Sequence, residues 1–207
     1  MERSRGITPC GRPAIFVAAA LMSVLLSGWR ADAADRDVGS RPPGTFDYYV
    51  LSLSWVPGFC ATHRGQTAEC SKGLGFALHG LWPQLNDGDY PTDCDVVALT
   101  QSEVRDYRGL YASPSLIAHE WRKHGTCSGL QPPAYFALAS SDLRRVRVPA
   151  GYGPGSMSRT TDAAAVKSAF IAANPRLSLD GVRTVLQRGR LTEIDICLTK
   201  TGNSRAC

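Results

Sequence analysis

Hydrophobic and polar residues alternate along Tyr48 to Trp55 (YYVLSLSW), so that Tyr49, Leu51 and Leu53 point one way and Val50, Ser52 and Ser54 the other. This is strand periodicity. Leu74 to His79 (LGFALH) alternates likewise, with Phe76 and Leu78 opposite Ala77 and His79, and Gly80 is expected to end the strand. Leu191 to Leu198 (LTEIDICL) predicts a last strand that places Ile194, Ile196 and Leu198 together. Between these segments the pattern becomes helical. Thr100-Gln101-Ser102-Glu103 is a capping box, with Leu99 and Val104 as its staple, and predicts a helix from about Gln101 to about Tyr111. Ser113 and Pro114 open a second helix that carries His119 to His124 and stops at Gly125. A third follows Pro133 through Tyr135, Phe136 and Leu138. Residues 145–158, rich in Gly and Pro, predict a loop, and Asp162 to Ala173 an alanine-rich helix that closes before Asn174-Pro175.

The first 33 residues follow another pattern. Arg3, Arg5 and Arg12 precede an apolar run from Ala14 to Leu26, and Ala31-Asp32-Ala33 supplies a small-x-small site. That is the layout of a secretory signal peptide, with an apolar part too short for a comfortable membrane span. Residues 34–45, which include a Pro-Pro pair, read as a flexible lead, and residues 46–207 as one domain.

The remaining composition changes the picture unequally. The chain has 23 Lys and Arg against 18 Asp and Glu; the leader holds four of the former and two of the latter, leaving 19 and 16, a net charge of about +3. This is far from the basic stripes of a dedicated nucleic-acid binder. Cysteine is more informative. Once Cys10 is removed with the leader, Cys60, Cys70, Cys94, Cys127, Cys197 and Cys207 remain, an even set that reads as a disulfide framework in an oxidising compartment. Six cysteines allow 15 pairings, and sequence does not choose among them. The absence of any C-x-x-C pair argues against a thioredoxin-like site or a zinc ribbon.

The candidate chemistry lies in HEWRKHGTC, residues 119–127. A zincin helix needs two histidines four residues apart, whereas these are five apart and Lys123 stands where the second ligand should be. At roughly 100° per residue, with His119 at zero, Lys123 falls near 40°, Glu120 near 100° and His124 near 140°. All four share one side of the helix, and His119/Lys123 and Glu120/His124 are each one turn apart. A salt-bridged surface helix would show the same pairing. A second histidine site, in FALHGLWPQ (Phe76 to Gln84), changes the balance. Two histidines, each followed by glycine, with Glu and Lys, are the parts needed for phosphoryl transfer without a metal. One imidazole takes a proton from the nucleophile, the other gives one to the leaving oxygen, and cations stabilise the charge on the phosphorus oxygens.

FALHGLWPQ and HEWRKHGTC resemble, in order and over nearly their whole length, the two signature segments of the ribonuclease T2 family of secreted, metal-independent endoribonucleases. LSLSWVPGFC (Leu51 to Cys60) is similar to the family's first core strand and LTEIDICL to its last, so the resemblance covers most of residues 46–207. It implies an α+β fold, an antiparallel β-sheet with packed α-helices, stabilised by Cys60–Cys70, Cys94–Cys127 and Cys197–Cys207. It implies His79 and His124 as the acid–base pair, with His124 the base on the ribose 2′-OH and His79 the acid for the 5′-oxygen. Glu120 and Lys123 would stabilise the phosphorane, and His119 would position the phosphate. Trp82 and Tyr90 stand at base-site positions, where stacking is worth roughly 1–3 kcal/mol per base. Gln84 joins them, a departure from the aspartate of some purine-preferring members that leaves base preference open. The substrate implied is single-stranded RNA and not DNA, since the nucleophile is the 2′-OH. No metal, cofactor or membrane is implied, and the protein is expected to be an exported monomer, periplasmic or extracellular.

Two other functions fit less well. A histidine phosphatase needs an arginine cluster around an R-H-G-type centre, which neither motif carries. An RNA-binding protein that has lost its chemistry would not require His79, His119, Glu120, Lys123 and His124 together.

Overall fold

A computed structural model describes residues 41–63, 69–156 and 162–207. The expected signal peptide, most of the lead and the end of the Gly/Pro-rich loop lie outside these residues. Four strands form one antiparallel sheet in the order β2-β1-β4-β3. They are β1 (Tyr48–Trp55), β2 (Phe76–Gln84), β3 (Val182–Gln187) and β4 (Arg190–Leu198). The helices are α1 (Val56–Thr62), α2 (Gln101–Asp106), α3 (Pro114–Lys123), α4 (Pro132–Arg145) and α5 (Ala163–Ala173). The α+β class implied by the resemblance is the class observed.

One face of the sheet is the core. Leu51, Leu53, Leu78, Leu81, Ile194 and Ile196 pack there against Ile117 and Trp121 of α3, Tyr135 and Phe136 of α4, and Val166 and Phe170 of α5. The other face carries a small second cluster of Tyr48, Val50 and Cys197 with Trp82 against it. Three disulfides, Cys60–Cys70, Cys94–Cys127 and Cys197–Cys207, close around this frame. At the end of the lead, the Gly44 N–H donates to the Cys127 carbonyl at 2.9 Å.

Gly80 does not end the second strand; β2 runs on to Gln84. Ser52 pairs with Gly80 and Leu53 with Leu78, so His79 is the extra residue of a β-bulge. The bulge shifts the side-chain parity by one. Phe76, Leu78 and Leu81 therefore all reach the core, while Trp82 and Gln84 face the cleft on the other side. An unbroken alternation would have put Trp82 on the face of Phe76.

Three further differences have local causes. α2 has the capping box, with Glu103 N–H bonded to Thr100 Oγ1 and Thr100 N–H to Glu103 Oε2, but it stops at Asp106 rather than Tyr111. The chain turns there so that Tyr107 can stack on Phe136 (4.1 Å between rings) and Tyr111 can meet the edge of the same ring. α1, which is not among the expected helices, begins with Pro57 in its first turn, where the missing N–H costs nothing. β3 is a short, largely exposed edge strand with too little alternation to stand out.

Candidate active site

β2 and α3 supply the two histidine segments. Ser113 caps α3 by accepting from the Leu116 N–H, and Pro114 occupies the first turn. The helix ends at Lys123. His124 leaves the helical conformation (φ −121°, ψ −44°) but still donates its N–H to the Glu120 carbonyl at 3.0 Å. Gly125 must follow, because a Cβ there would overlap the Trp121 ring. The end of α3 is anchored on several sides. The Asp93 N–H donates to the Lys123 carbonyl, Arg122 pairs with Asp93, and Cys127 is bridged to Cys94. The Trp121 indole N–H reaches the Val97 carbonyl, and the Tyr135 hydroxyl reaches the Leu81 carbonyl in β2.

Trp82 neighbours both histidines. Its ring lies 5.0 Å from that of His79, nearly edge-on, and 5.2 Å from that of His124. Its indole N–H donates to Glu120 Oε2 at 2.6 Å, which partners a carboxylate that is only 1% exposed. Gly80 makes this possible: a Cβ there would overlap Glu120 Oε2 and Trp82 Nε1 together. His79 Nδ1 lies 2.8 Å from Glu193 Oε1, and its Nε2 lies 3.7 Å from Glu120 Oε1. Lys123 Nζ sits 5.9 Å above the Tyr90 ring, and Tyr90 lies 6.1 Å from His124.

These side chains, with Gln84 and the exposed His119, line one open cleft of about 330 Å³. All eight expected catalytic and base-contacting positions therefore meet in one place. Four further residues, Val50, Arg183, Glu193 and Asp195, complete its wall. Among the described residues no cluster of three or more His, Cys, Asp or Glu side chains is arranged to hold a metal ion.

The electrostatics divide the cleft. Burial pushes the pKa of His124 down, and the charges of Lys123, His119, His79 and Arg122 push it further, to about 3. His124 Nδ1 is buried with no hydrogen-bond partner among the described residues, the kind of unsatisfied group that marks functional sites. His79 moves the other way. Burial disfavours its charge, but the bond to Glu193 and the charges of Glu120, Glu193 and Asp195 outweigh that and raise its pKa. Burial raises Glu120 to about 7 against the pull of His79, the Trp82 hydrogen bond and Lys123, and raises Asp195 to about 6. His119 is lowered by burial and by Lys123.

Comparison with known proteins matches the model of the ribonuclease T2 family to residues 46–207. The chain belongs to the ribonuclease T2 family. A ribonuclease of Aeromonas hydrophila is 40% identical over 192 residues, covering 88% of this chain and 84% of that protein. Ribonuclease Oy of Magallana gigas is 29% identical over 189 residues, covering 78% and 87%. Among solved structures, ribonuclease MC1 from bitter gourd seeds aligns with a TM-score of 0.57 at 25% identity, over 77% of this chain and 92% of that one. An RNase-related protein from Calystegia sepium shares the fold, with a TM-score of 0.62 at 23% identity over 78% and 90%. Membership makes this chain a ribonuclease. Its cleft also holds residues that no motif singles out. Glu193 and Asp195 alternate with Ile194 and Ile196, so they read as the solvent face of an ordinary strand. Only the strand order, which sets β4 beside β1, shows that this face is the one His79 occupies.

Proposed function

We propose that this T2 ribonuclease is an endoribonuclease that cleaves single-stranded RNA by transphosphorylation, with two histidines as acid and base. His124, neutral across the working range, takes the proton of the ribose 2′-OH as that oxygen attacks phosphorus. The P–O5′ bond breaks, and His79, protonated, gives its proton to the departing O5′. The product is a 2′,3′-cyclic phosphate. In the second stage water attacks the same phosphorus with the roles exchanged and leaves a 3′-phosphate. Lys123 and Glu120 stabilise the crowded phosphorane; Glu120, with a pKa near neutrality, is held partly as an acid that can donate a hydrogen bond to a phosphoryl oxygen. His119 positions the phosphate, and Trp82, Gln84 and Tyr90 receive the bases.

The observation that carries this reading is the placement of two imidazoles against one indole, in one cleft that a lysine and a buried carboxylate also line. Trp82 has its N–H engaged by Glu120, so its contribution to base binding comes from the ring and not from a hydrogen bond. DNA lacks the 2′-OH that serves as nucleophile and is not cleaved. The basic leader, the apolar run and Ala31-Asp32-Ala33 support export of a monomeric domain of residues 46–207 to a periplasm or beyond the cell. Among the described residues no helix is long and apolar enough to cross a membrane.

The test is incubation of the mature protein with a defined RNA oligonucleotide and its DNA counterpart in excess EDTA, with product ends identified by mass. Cleavage of RNA alone, to cyclic and then 3′-phosphate ends, is expected. Loss of activity in EDTA, or 5′-phosphate ends, would overturn the metal-free mechanism.

A further inference from the structure

Of the groups that the sheet supplies to the cleft from outside the two signature segments, Glu193 is the one within hydrogen-bond distance of His79. Glu193 lies on β4 and His79 on β2, with β1 between them, so their backbones are separated by two strand spacings, roughly 9–10 Å. Over that span β1 presents only small side chains on the cleft face, Ser52 and Ser54. Ser54 pairs with Glu193 on one side and with Ala77 on the other, one pair away from the bulge. The bulge then carries His79 out of register, and the two side chains meet above the serines at 2.8 Å. A second irregularity lies beside Glu193. Val185 pairs with Glu193 but Leu186 with Leu191, so Thr192 is the extra residue and Leu191 reaches the core although it stands two residues from Glu193, which lines the cleft. The unbroken β1–β4 register sets the face of Glu193, and the bulge in β2 sets the position of His79 opposite it.

We infer that Glu193 is the positioning residue of His79: it accepts the Nδ1–H and thereby leaves Nε2 as the nitrogen that exchanges the proton with substrate. The inference rests on the acid–base reading above. A carboxylate only accepts, so the 2.8 Å contact requires the proton on Nδ1. Nε2 lies 3.7 Å from Glu120, too far for a hydrogen bond, and is free to act. In the cleavage step Nε2–H passes to O5′ as the P–O5′ bond breaks, and His79 becomes neutral with Nδ1–H still held. In the hydrolysis step the attacking water returns a proton to Nε2. One tautomer therefore serves both steps without a ring flip. An orienting carboxylate behind a catalytic imidazole acts through this same tautomer control.

The other titratable and charged groups that line the cleft with His79 are Glu120, Lys123 and His119 of α3, His124 at its end, and Asp195 of β4, which Arg183 of β3 faces at 3.6 Å. Glu120 and Asp195 share in keeping His79 protonated, but the hydrogen bond that its ring makes is to Glu193.

The experiment compares the mature protein with its Glu193→Gln, Glu193→Ala and Glu193→Asp variants. It records kcat and KM on an RNA dinucleotide across pH, the ¹⁵N shifts of the His79 ring, and thermal melting. Glu193→Gln can still accept the Nδ1–H but lacks the charge, so the alkaline limb of the rate profile moves to lower pH while the tautomer persists. Glu193→Ala loses both; kcat falls by about ten- to a hundredfold with KM little changed, and the ring shifts show a mixture of tautomers. Glu193→Asp, one methylene short, falls between. An unchanged alkaline limb and an unchanged tautomer in Glu193→Ala would overturn the inference. So would a kcat loss that merely tracks a lowered melting temperature. If Glu193→Ala fails to fold, the Gln and Asp variants decide by the same readouts. The ring shifts need no substrate, so a protein that cleaves no RNA would sink the acid–base reading while the tautomer result still judges the contact with Glu193.

Discussion

His79 stands on the sheet among carboxylates, and His124 stands at the end of α3 among cations. Each is followed by a glycine that a Cβ could not replace without overlap, so the local sequences look alike. The surroundings separate them. Glu193, Glu120 and Asp195 hold the His79 charge in place, whereas burial and Lys123 keep His124 neutral down to about pH 3. Neighbouring titratable groups whose environments push them apart can serve as acid and base at one pH, and here the division runs along the boundary between sheet and helix.

The largest expected effect comes from removing either histidine. His124→Ala and His79→Ala should each lower kcat/KM by about 10²–10⁴-fold, the usual worth of a positioned acid or base. Their residual activities should differ in shape. In the proposed mechanism, raising pH deprotonates His79 and removes the acid, which is the alkaline limb; lowering pH protonates His124 and removes the base, which is the acid limb. His124→Ala should therefore keep only the alkaline limb and His79→Ala only the acid one. If both variants lose the same limb, or the wild-type profile is flat between pH 4 and 9, the contrast between the two sites is wrong.

A second, smaller effect tests the contact between the regions rather than either one. Gly80→Ala pushes a methyl group between Glu120 and Trp82, the bridge from sheet to helix. A displacement of about 1 Å at the reacting groups can cost on the order of 10²-fold, and kcat should fall by about that much in a protein that still melts cooperatively. Gly109→Ala is the control, since nothing lies within 4 Å of a Cβ there, and its activity should equal that of the wild type. Equal loss in both would show that Gly80 has no special part in the site.

Much of this contrast was legible in the sequence, and the remainder was hidden for physical reasons. The helix side could be read directly. Glu120, Lys123 and His124 follow one another at helical spacing, and a period of 3.6 residues is a property of the chain itself. The pairing of Tyr49, Leu51 and Leu53 on one face of β1 was legible for the same reason. The sheet side was not. The bulge at His79 depends on which residues β1 offers opposite it, and Gly80 alone signals a strand end as readily as a close approach. Glu193 and Asp195 gain their meaning from the order β2-β1-β4-β3, which no local pattern contains. α2 shows the same limit: its capping box was visible, but its end is set by the Phe136 ring, which lies in a different helix.

The finest test addresses the helix side. In the proposed mechanism Lys123 does two things at once: it offers a charge to the phosphorane and it helps keep His124 unprotonated. Lys123→Met removes both, and pH separates them. Loss of the phosphorane contact lowers the rate equally at every pH. Loss of the neighbouring cation raises the pKa of His124, so the acid limb moves to higher pH. Burial, the larger cause of the depression, remains, so the limb should still lie below the ordinary histidine value of about 6.5. The ratio of kcat/KM at pH 5 to that at pH 7 should therefore fall in Lys123→Met and stay at the wild-type value in Lys123→Arg, which keeps the charge. The alkaline limb, set by His79 among its carboxylates, should move far less, since Lys123 is not among the main causes of the His79 shift. An acid limb that does not move would mean that burial and the remaining neighbours, His119, His79 and Arg122, keep His124 neutral without Lys123. Lys123 would then serve the substrate's charge and not the base.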